Sequence, residues 1–446
     1  MMDWNKLLST RRFGQDHDDP VLAARSPFHK DQDRIVFSSA FRRLQDKTQV
    51  HTLAESDYVR TRLTHSMEVA SVGRSLGANA GQVVIDRHLK GSDFSPADFG
   101  HIVSAACLAH DIGNPPFGHF GEEIIRHWFR NGDGAEERMK GLTPAEIRDF
   151  EMFEGNAQGF RTLTKLQNWR NAGGLRLTYA TLGTFMKYPR SSIVENILPQ
   201  DSAGKKFGIM QSELDAFREI ARELGLTRRG EEDYWARHPL TYLVEAADDI
   251  CYSIVDIEDG YKLGRLNYAE TEDLMIRILG EPPKRYSEVS DNSERISYLR
   301  AKCIGRLIGE VSDIFKESER EILEGKFQGD LLHHSRRAPL FKEIDALCQR
   351  EIYHHRERIQ AELSGAEVLT TVLDAFYSAN LDWERNQKDG KPMNPRSTVL
   401  MHLFPGSRTA TRSRYEWLLE ITDFVAGMTD SFALRQFREI KGIIQP

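Results

Sequence analysis

A histidine and an aspartate stand side by side, His110 and Asp111, where an apolar run gives way to a loop rich in glycine and proline. The apolar run, 102–109, predicts a buried helix, so the pair lies at the edge of a core. A carboxylate in that position is costly unless a positive charge meets it. Two such residues more often form a structural pair than bind metal, so a metal site needs further ligands.

A second set of acids lies on a helix predicted at 239–259, which is apolar over most of its surface. Asp248, Tyr252 and Asp256 are spaced four apart, which places them on one helical face. An acidic face on a buried helix favours a cation, and a solvent-facing helix is the weaker alternative. Asp249 lies about 100° around the axis, and we expect it to make a structural hydrogen bond.

His65 opens a predicted helix at 64–89 and could point a ring nitrogen into a central space, although such a residue is more often capping or exposed. Together, His65, His110, Asp111 and Asp248 offer two imidazoles and two carboxylates without a thiolate. These ligands suit Mn²⁺ or Mg²⁺ foremost, with Fe²⁺, Co²⁺, Ni²⁺ or Zn²⁺ as alternatives. A metal with open positions activates water and polarises a phosphoryl oxygen, which is the chemistry of hydrolysis.

Helical periods dominate the elements that must position these residues, so we predict an all-α protein with at most one or two short hairpins. Short strands are predicted only near 48–62 and 174–179. Helix-start signals occur at Ser95-Pro96 and Thr143-Pro144. The further predicted helices are 33–46, 292–325, 338–364, 366–380 and 411–440.

The chain of 446 residues is long enough for two or three packed units. A boundary near 265–290 would separate a motif-bearing region, 1–265, from a helical C-terminal region, 266–446. We expect the second region to pack on the first and to contribute to oligomer contacts.

Bulk composition limits the classes of partner. The formal charge of −7 argues against a broad, sequence-indifferent grip on nucleic acid. Local basic clusters could still bind a single strand or an effector nucleotide, although each is more often a solvated face: Lys205-Lys206, Arg228-Arg229, Arg336-Arg337 and Arg408 to Arg414. No apolar stretch approaches the ~20 residues of a membrane span, and the four cysteines form no CxxC pair, so we expect a cytoplasmic protein with reduced thiols.

The order of ligands, H…HD…D, resembles the HD-domain phosphohydrolases, and the flanking blocks resemble the dGTPase-like deoxynucleoside triphosphate triphosphohydrolases. Those blocks are FRRLQDKTQV (41–50), RLTHS (62–66), HDIGNPPFGHFGE (110–122), FEGNAQ (153–158), EAADDI (245–250) and GMTD (427–430). The resemblance runs from about residue 8 to 440. The long loop at 110–122 is its most specific part.

The resemblance implies an HD-domain helical bundle that splits a dNTP into deoxynucleoside and inorganic triphosphate. By motif matching, His65, His110, Asp111 and Asp248 hold the metal. His119 serves as general acid to the leaving 5′ oxygen, and Glu122 orients it, as helical i, i+3 geometry allows.

Substrate contacts also follow from the resemblance and from charge, because a triphosphate needs positive partners. The candidates for phosphate are Arg62, Lys187, Tyr188 and Asn156, with a solvated surface charge as the alternative for Arg62 and Lys187. Gln49 and Asp256 would meet the 3′-hydroxyl, Val50 would lie beside Gln49 in the substrate site, and Tyr252 would lie under the sugar, where a 2′-hydroxyl would collide.

Relatives of this kind often form rings or hexamers and some respond to dNTPs, so the resemblance implies a homo-oligomer and an effector dNTP or single-stranded nucleic acid as further partners. Two alternatives stay open. The chain could be another HD-type nucleotide phosphohydrolase or phosphodiesterase, or a non-catalytic regulator that binds nucleotide or single-stranded nucleic acid.

Overall fold

Residues 1–15, 25–48, 60–198, 200–353, 356–405 and 412–443 are described by the computed structural model of the protein. In this part of the chain the regular structure is helical. The α-helices are α1 (Trp4–Leu7), α2 (Pro27–Val36), α3 (Ser39–Arg43), α4 (Arg62–His88), α5 (Pro96–Ala109), α6 (Gly118–Arg130), α7 (Ala135–Met139), α8 (Pro144–Glu151), α9 (Gly155–Arg161), α10 (Tyr179–Phe185), α11 (Leu214–Leu224), α12 (Thr241–Lys262), α13 (Tyr268–Leu279), α14 (Asn292–Leu323), α15 (Ala338–Cys348), α16 (Arg356–Asp389), α17 (Pro395–Leu403), α18 (Arg414–Ala426) and α19 (Asp430–Lys441).

The predicted all-α class is confirmed, and β-pairing between described residues is limited to isolated bridges. The predicted strand at 174–179 is wrong: Thr178 makes one bridge to Arg12 and then caps α10 through its hydroxyl. Of the predicted hairpin at 48–62, residues 49–59 lie outside the described residues. Its two ends, Thr48 and Thr61, form an antiparallel bridge.

Helix starts follow the predicted caps, whereas three predicted long helices are divided. Ser95 and Thr143 each form a capping box at the expected place. The helix predicted at 33–46 is two helices, because the hydroxyl of Ser38 accepts a hydrogen bond from a backbone N–H and begins α3. Thr429 likewise caps α19 and separates it from α18. The segments 338–364 and 366–380 are redistributed between α15 and α16.

The centre of the fold is the contact between α4 and α5. Glycines recur every four residues along α4, at Gly73, Gly77 and Gly81, so they share one face. A Cβ added at Gly77 would lie 2.6 Å from the carbonyl oxygen of Phe99, and one at Gly73 would lie 2.5 Å from the sulfur of Cys107. The missing side chains therefore allow a close approach that fixes the helix carrying His65 against the helix that ends at His110.

Two hydrophobic clusters fill the interior. The larger contains residues of α1–α5, α9 and α10–α15, and the smaller combines α6, α8 and α9 with the C-terminal helices α16–α19. The C-terminal helices therefore share a core with the segment that follows the His-Asp pair, while the predicted division near residue 265 stays a prediction. Among the described residues, every helix is too short or too polar for a bilayer span.

Replacing Gly77 with alanine should destabilise the protein, because the new methyl group would press on backbone rather than on a flexible side chain. We expect a loss of about 1–3 kcal/mol in the free energy of unfolding, measured by urea denaturation. Gly305→Ala is the matched control: Gly305 lies within α14 with open space around it, so alanine should stabilise by about 0.5–1 kcal/mol. Equal effects at both positions would contradict the close-packing account.

Candidate active site

Three helices bring the predicted metal ligands together. His65 lies in the first turn of α4, His110 and Asp111 follow the end of α5, and Asp248 lies on α12. One ligand atom from each of His65, His110 and Asp111 lies within 4.8 Å of the other two. The Oδ1 atom of Asp248 lies 3.1 Å from Nε2 of His65 and 3.7 Å from Nε2 of His110.

The ring of His110 is oriented by the helix that precedes it. Its Nδ1 lies 2.7 Å from the carbonyl oxygen of Cys107, a distance at which Nδ1–H donates a hydrogen bond. That bond selects the tautomer whose Nε2 carries a free lone pair. The lone pair points to the side on which the two carboxylates lie, with Nε2 3.6 Å from Asp111 Oδ1.

Asp111 is held in place from both sides. Arg62 donates from Nη1 to Oδ2 at 2.7 Å, and the side-chain amide of Asn114 donates to Oδ1 at 2.6 Å. Burial opposes ionisation, but the charges of Arg62, His110 and His65 outweigh it and hold the pKa of Asp111 well below its usual range. The carboxylate is therefore charged and fixed at neutral pH.

Asp248 is ionised as well. Burial works against its charge, but His110, His65 and Lys187 outweigh burial and lower its pKa. The buried carboxylate of Asp111 and the half-buried carboxylate of Asp248, next to two imidazoles, form an oxygen and nitrogen donor set that fits a divalent first-row cation. A cation there would offset the negative charge that Arg62 leaves uncompensated.

Asp249 behaves differently from its neighbour. The side chain of Asp249 makes no hydrogen bond to another described residue, so the structural hydrogen bond predicted for it is not found. Burial, together with the charge of Glu245, raises the pKa of Asp249 well above its usual range. The two adjacent aspartates are thus distinguished by their surroundings as well as by helix face.

The predicted proton-transfer pair lies in the first turns of α6. Nδ1 of His119 lies 3.0 Å from Oε2 of Glu122, whose other oxygen accepts a hydrogen bond of 2.8 Å from the backbone N–H of Gly155. Glu122 is buried, whereas the side chain of His119 is 75% exposed. Burial would raise the pKa of Glu122, but the hydrogen bond from His119 outweighs it and lowers that pKa. A fixed carboxylate thus orients an imidazole that faces an open space.

Lys206 and Asn156 surround the carboxylate next to this pair. Nζ of Lys206 lies 2.7 Å from Oε1 of Glu154, and the amide of Asn156 donates to the same oxygen at 3.0 Å. The sequence singled out Lys206 only as part of a basic cluster. Its position beside Glu154, the glutamate of the FEGNAQ block, could not be found without the fold.

The other predicted phosphate contacts are paired with acids. Nζ of Lys187 lies 3.5 Å from Oε1 of Glu245, and Nη1 of Arg237 lies 2.6 Å from Oε2 of the same carboxylate. Two cations thus share one carboxylate near buried Tyr188. Arg62 is engaged with Asp111, so its visible contact is to a ligand residue rather than to open space.

The predicted sugar contacts are partly placed. Tyr252 and Asp256 lie on α12, one and two turns after Asp248, with Asp256 buried and Tyr252 half-buried. Gln49 and Val50 lie outside the described residues. The shared helix face that the spacing predicted is therefore present for the three residues of α12.

Two charged residues that carry no role in the sequence prediction are buried next to the site. Nζ of Lys47 donates to the carbonyl oxygens of Asn114 at 2.5 Å and Ala426 at 2.8 Å. Burial, aided by neighbouring cations, lowers the pKa of Lys47 to about 7. Asp430 accepts hydrogen bonds from Thr48 and from the backbone of Phe117. Lys47 lies in the block at 41–50 and Asp430 in the block at 427–430, so the resemblance of these blocks to the family was the only signal in the sequence for a role near the site.

Comparisons with known proteins agree with this geometry. The family model described as HD domain matches residues 62–149, a span that includes His65, the His110-Asp111 pair and His119. A deoxyguanosinetriphosphate triphosphohydrolase-like protein of Synechocystis sp. is 43% identical, over 99% of this chain and 100% of its own length. One of the same description from Pseudomonas aeruginosa is 41% identical over the whole of both chains.

A deoxyguanosinetriphosphate triphosphohydrolase of Yersinia enterocolitica is 32% identical, with 93% of each chain covered. Identity of 32–43% over nearly the full length of both chains, together with the HD match, indicates common descent of the whole chain. The chain belongs to the HD-domain family of deoxyguanosinetriphosphate triphosphohydrolase-like proteins.

Proposed function

We propose that the protein hydrolyses deoxynucleoside triphosphates, dGTP or several dNTPs, to deoxynucleoside and inorganic triphosphate. The observation that carries the proposal is the approach of two imidazoles and two carboxylates from three helices to within a few bond lengths of one another. The names of the relatives supply the substrate class.

In this proposal His65, His110, Asp111 and Asp248 hold a divalent metal ion, Mn²⁺ or Mg²⁺ foremost, with Fe²⁺, Co²⁺, Ni²⁺ or Zn²⁺ as alternatives. Such an ion supplies Lewis-acid polarisation of the phosphate and activation of water. The chain's own contribution is to fix the ligands. Residues around the ligands, as described for Asp111 and His110, hold them in one orientation before substrate arrives.

His119 is the proposed general acid, which delivers a proton to the 5′ oxygen as it leaves the α-phosphorus. Its exposed Nε2 side faces the space that substrate would enter, while Nδ1 is bound to Glu122. Glu122 therefore orients the ring in the way a buried carboxylate orients a catalytic histidine.

Lys187, Tyr188, Arg62 and Asn156 are the proposed contacts to the triphosphate. Lys187 and Arg237 share one carboxylate, so each has N–H groups left to meet a polyanion. For Arg62 the contact to Asp111 supports a second role, since one guanidinium can hold a carboxylate and still offer other N–H groups.

The sugar would be read by Tyr252, Asp256, Gln49 and Val50. Tyr252 and Asp256 follow Asp248 on the same helix, so a substrate whose phosphate lies near Asp248 would extend its sugar along them. An aromatic ring in close contact with the sugar would reject an added 2′-hydroxyl by collision.

The wider predictions are a homo-oligomer, including a hexamer, a cytoplasmic location, and an effector dNTP or single-stranded nucleic acid as partner. The oligomer rests on the family, the location on cysteine usage, and the nucleotide or single-strand partner also on the local basic clusters of the sequence. Light scattering of the purified protein, with and without dNTPs and oligonucleotide, addresses the assembly and its response to effectors.

The metal site is tested by comparing Asp248→Asn with Asp249→Asn, two adjacent and equally conservative changes. We expect Asp248→Asn to lose more than the roughly 100-fold in activity that removal of an outer metal-site partner costs. Asp249→Asn should retain near-normal activity. Triphosphate release from each dNTP is measured by chromatography across a metal panel, with chelator as the blank.

Release of pyrophosphate or monophosphate by the wild type would instead favour another HD-type phosphohydrolase. Nucleotide or single-strand binding without hydrolysis, with every metal tried, would favour the non-catalytic regulator.

The proton-transfer pair is tested with His119→Ala and Glu122→Gln. Loss of a general acid should lower kcat by about 10²–10⁴-fold, and Glu122→Gln should lower it less because the imidazole itself remains. His127→Ala, on the exposed face of the same helix, is the control and should leave kcat unchanged. Unaltered kcat in His119→Ala at saturating dGTP would exclude the assigned role.

Sugar discrimination is tested with Tyr252→Ala. Removal of the ring should relieve the collision with a 2′-hydroxyl, so hydrolysis of GTP or ATP should rise relative to dGTP or dATP. The ratio of kcat/KM for each deoxy and ribo pair is the measurement. If that ratio is the same in the variant and the wild type, Tyr252 does not exclude ribonucleotides.

A further inference from the structure

Three distant parts of the chain meet at one carboxylate, that of Asp430. This residue begins α19 and is 4% exposed. Its Oδ2 atom accepts hydrogen bonds from the backbone N–H of Thr48, at 3.1 Å, and from the hydroxyl of Thr48. Its Oδ1 atom accepts a hydrogen bond of 3.0 Å from the backbone N–H of Phe117. One side chain of the C-terminal region thus binds two segments that border the active site.

The Thr48 segment pairs with the residues that begin α4. Thr48 pairs with Thr61 in an antiparallel bridge, and the backbone N–H of Arg62 donates to the carbonyl oxygen of Lys47 at 3.1 Å. Arg62 begins α4, and His65 follows within its first turn. The position of Thr48 therefore constrains the helix start that carries a proposed metal ligand and the arginine bound to Asp111.

The Phe117 segment leads directly to the start of α6. Phe117 has a φ of +62°, in the left-handed region that residues with a side chain seldom adopt. His119 and Glu122 follow in the first turns of α6. A strained residue at this point needs an external contact to hold it, and the hydrogen bond to Asp430 provides one.

The two segments also touch each other. A Cβ added at Gly118 would lie 2.5 Å from Nη2 of Arg62, so the guanidinium occupies the space that a side chain at 118 would fill. Lys47 reinforces the junction, because its Nζ binds one carbonyl before Phe117, that of Asn114, and one at the end of α18, that of Ala426. A buried anion and a buried cation thus join the same three parts of the chain.

We propose that Asp430 is a positioning residue of the active site: by binding Thr48 and Phe117 at once, it sets the helix start that carries His65 relative to the helix start that carries His119. The inference rests on the proposed function for its catalytic consequence. It makes the C-terminal helix α19 a working part of a site whose metal ligands and proton donor all lie far earlier in the chain.

Asp430→Asn tests the attachments to Thr48 and Phe117 together, and Thr48→Val tests the attachment to Thr48 alone. An asparagine presents one oxygen and one N–H₂ group, so it can keep only one of the two attachments. We expect kcat to fall roughly 10- to 100-fold, as when a catalytic group is displaced by a fraction of a bond length, with KM changing far less. Thr48→Val removes one hydroxyl at constant shape and should give a smaller loss, which Thr48→Ser should restore.

Arg435→Ala is the control on the same helix, because Arg435 is exposed and its guanidinium lies over the ring of Phe432, with no hydrogen bond to the Thr48 or Phe117 segment among the described residues. It should leave kcat and thermal stability unchanged. Hydrogen–deuterium exchange of the full-length protein gives a readout independent of activity. In Asp430→Asn, amides around 115–121 and 60–65 should both exchange faster, while those of the α4–α5 contact stay protected.

Normal kcat in Asp430→Asn, or faster exchange confined to α19, would overturn the positioning role. A loss in Thr48→Val that Thr48→Ser does not restore would also count against it. If the wild type releases no triphosphate but both segments loosen together in Asp430→Asn, the proposed reaction fails while the junction itself stands. If the wild type is active and the segments do not loosen, only the inference about Asp430 fails.

Discussion

The structure depends on keeping two ionised carboxylates, Asp111 and Asp248, close together inside a helical bundle. Burying one such charge is expensive, and burying two side by side adds repulsion. Among the described residues, Arg62 and the imidazoles of His65 and His110 supply the compensation, the first two from the start of α4 and the third from the end of α5. The glycines of α4 let α5 approach closely, and this contact brings the helix that carries His65 next to the helix that ends at His110.

The ligand set is surrounded by groups that leave it little freedom. Asp111 is bound on both oxygens, His110 is bound through the nitrogen that does not face the carboxylates, and Glu122 is bound to a backbone N–H. Rigidity of this kind lowers the reorganisation needed during reaction, because the charges already lie where substrate and cation would meet them. His119, whose side chain is 75% exposed, is held by the buried carboxylate of Glu122.

Sequence reasoning succeeded where a local rule determines structure. Helix periods gave α4, α5, α12 and α14 nearly in full, and the capping residues Ser95 and Thr143 gave the starts of α5 and α8, because a cap is satisfied within one turn. It failed where a short polar element interrupts an apolar pattern, as at Ser38, and where a turn with positive φ at Gly174 and Arg176 replaces the predicted strand at 174–179. Residue types limit metal chemistry, so four candidate ligands could be proposed from the sequence, and they stay a prediction. The hydrogen bond predicted for the side chain of Asp249 is not found, because such partners depend on the fold.

Lys47 and Asp430 show why the rest of the site was out of reach. Each is an ordinary charged residue in a polar stretch, and solvated charges of that kind are common on protein surfaces. Their burial arises only when α18 and α19 fold back on the loop after the His-Asp pair, a contact between residues more than three hundred positions apart. A buried charge is tolerated only if hydrogen bonds satisfy it. Apart from the hydroxyl of Thr48, the partners here are backbone groups, which residue types do not reveal. The blocks that resemble the family contain both residues, and the structure explains them by the N–H and C=O groups that each one satisfies.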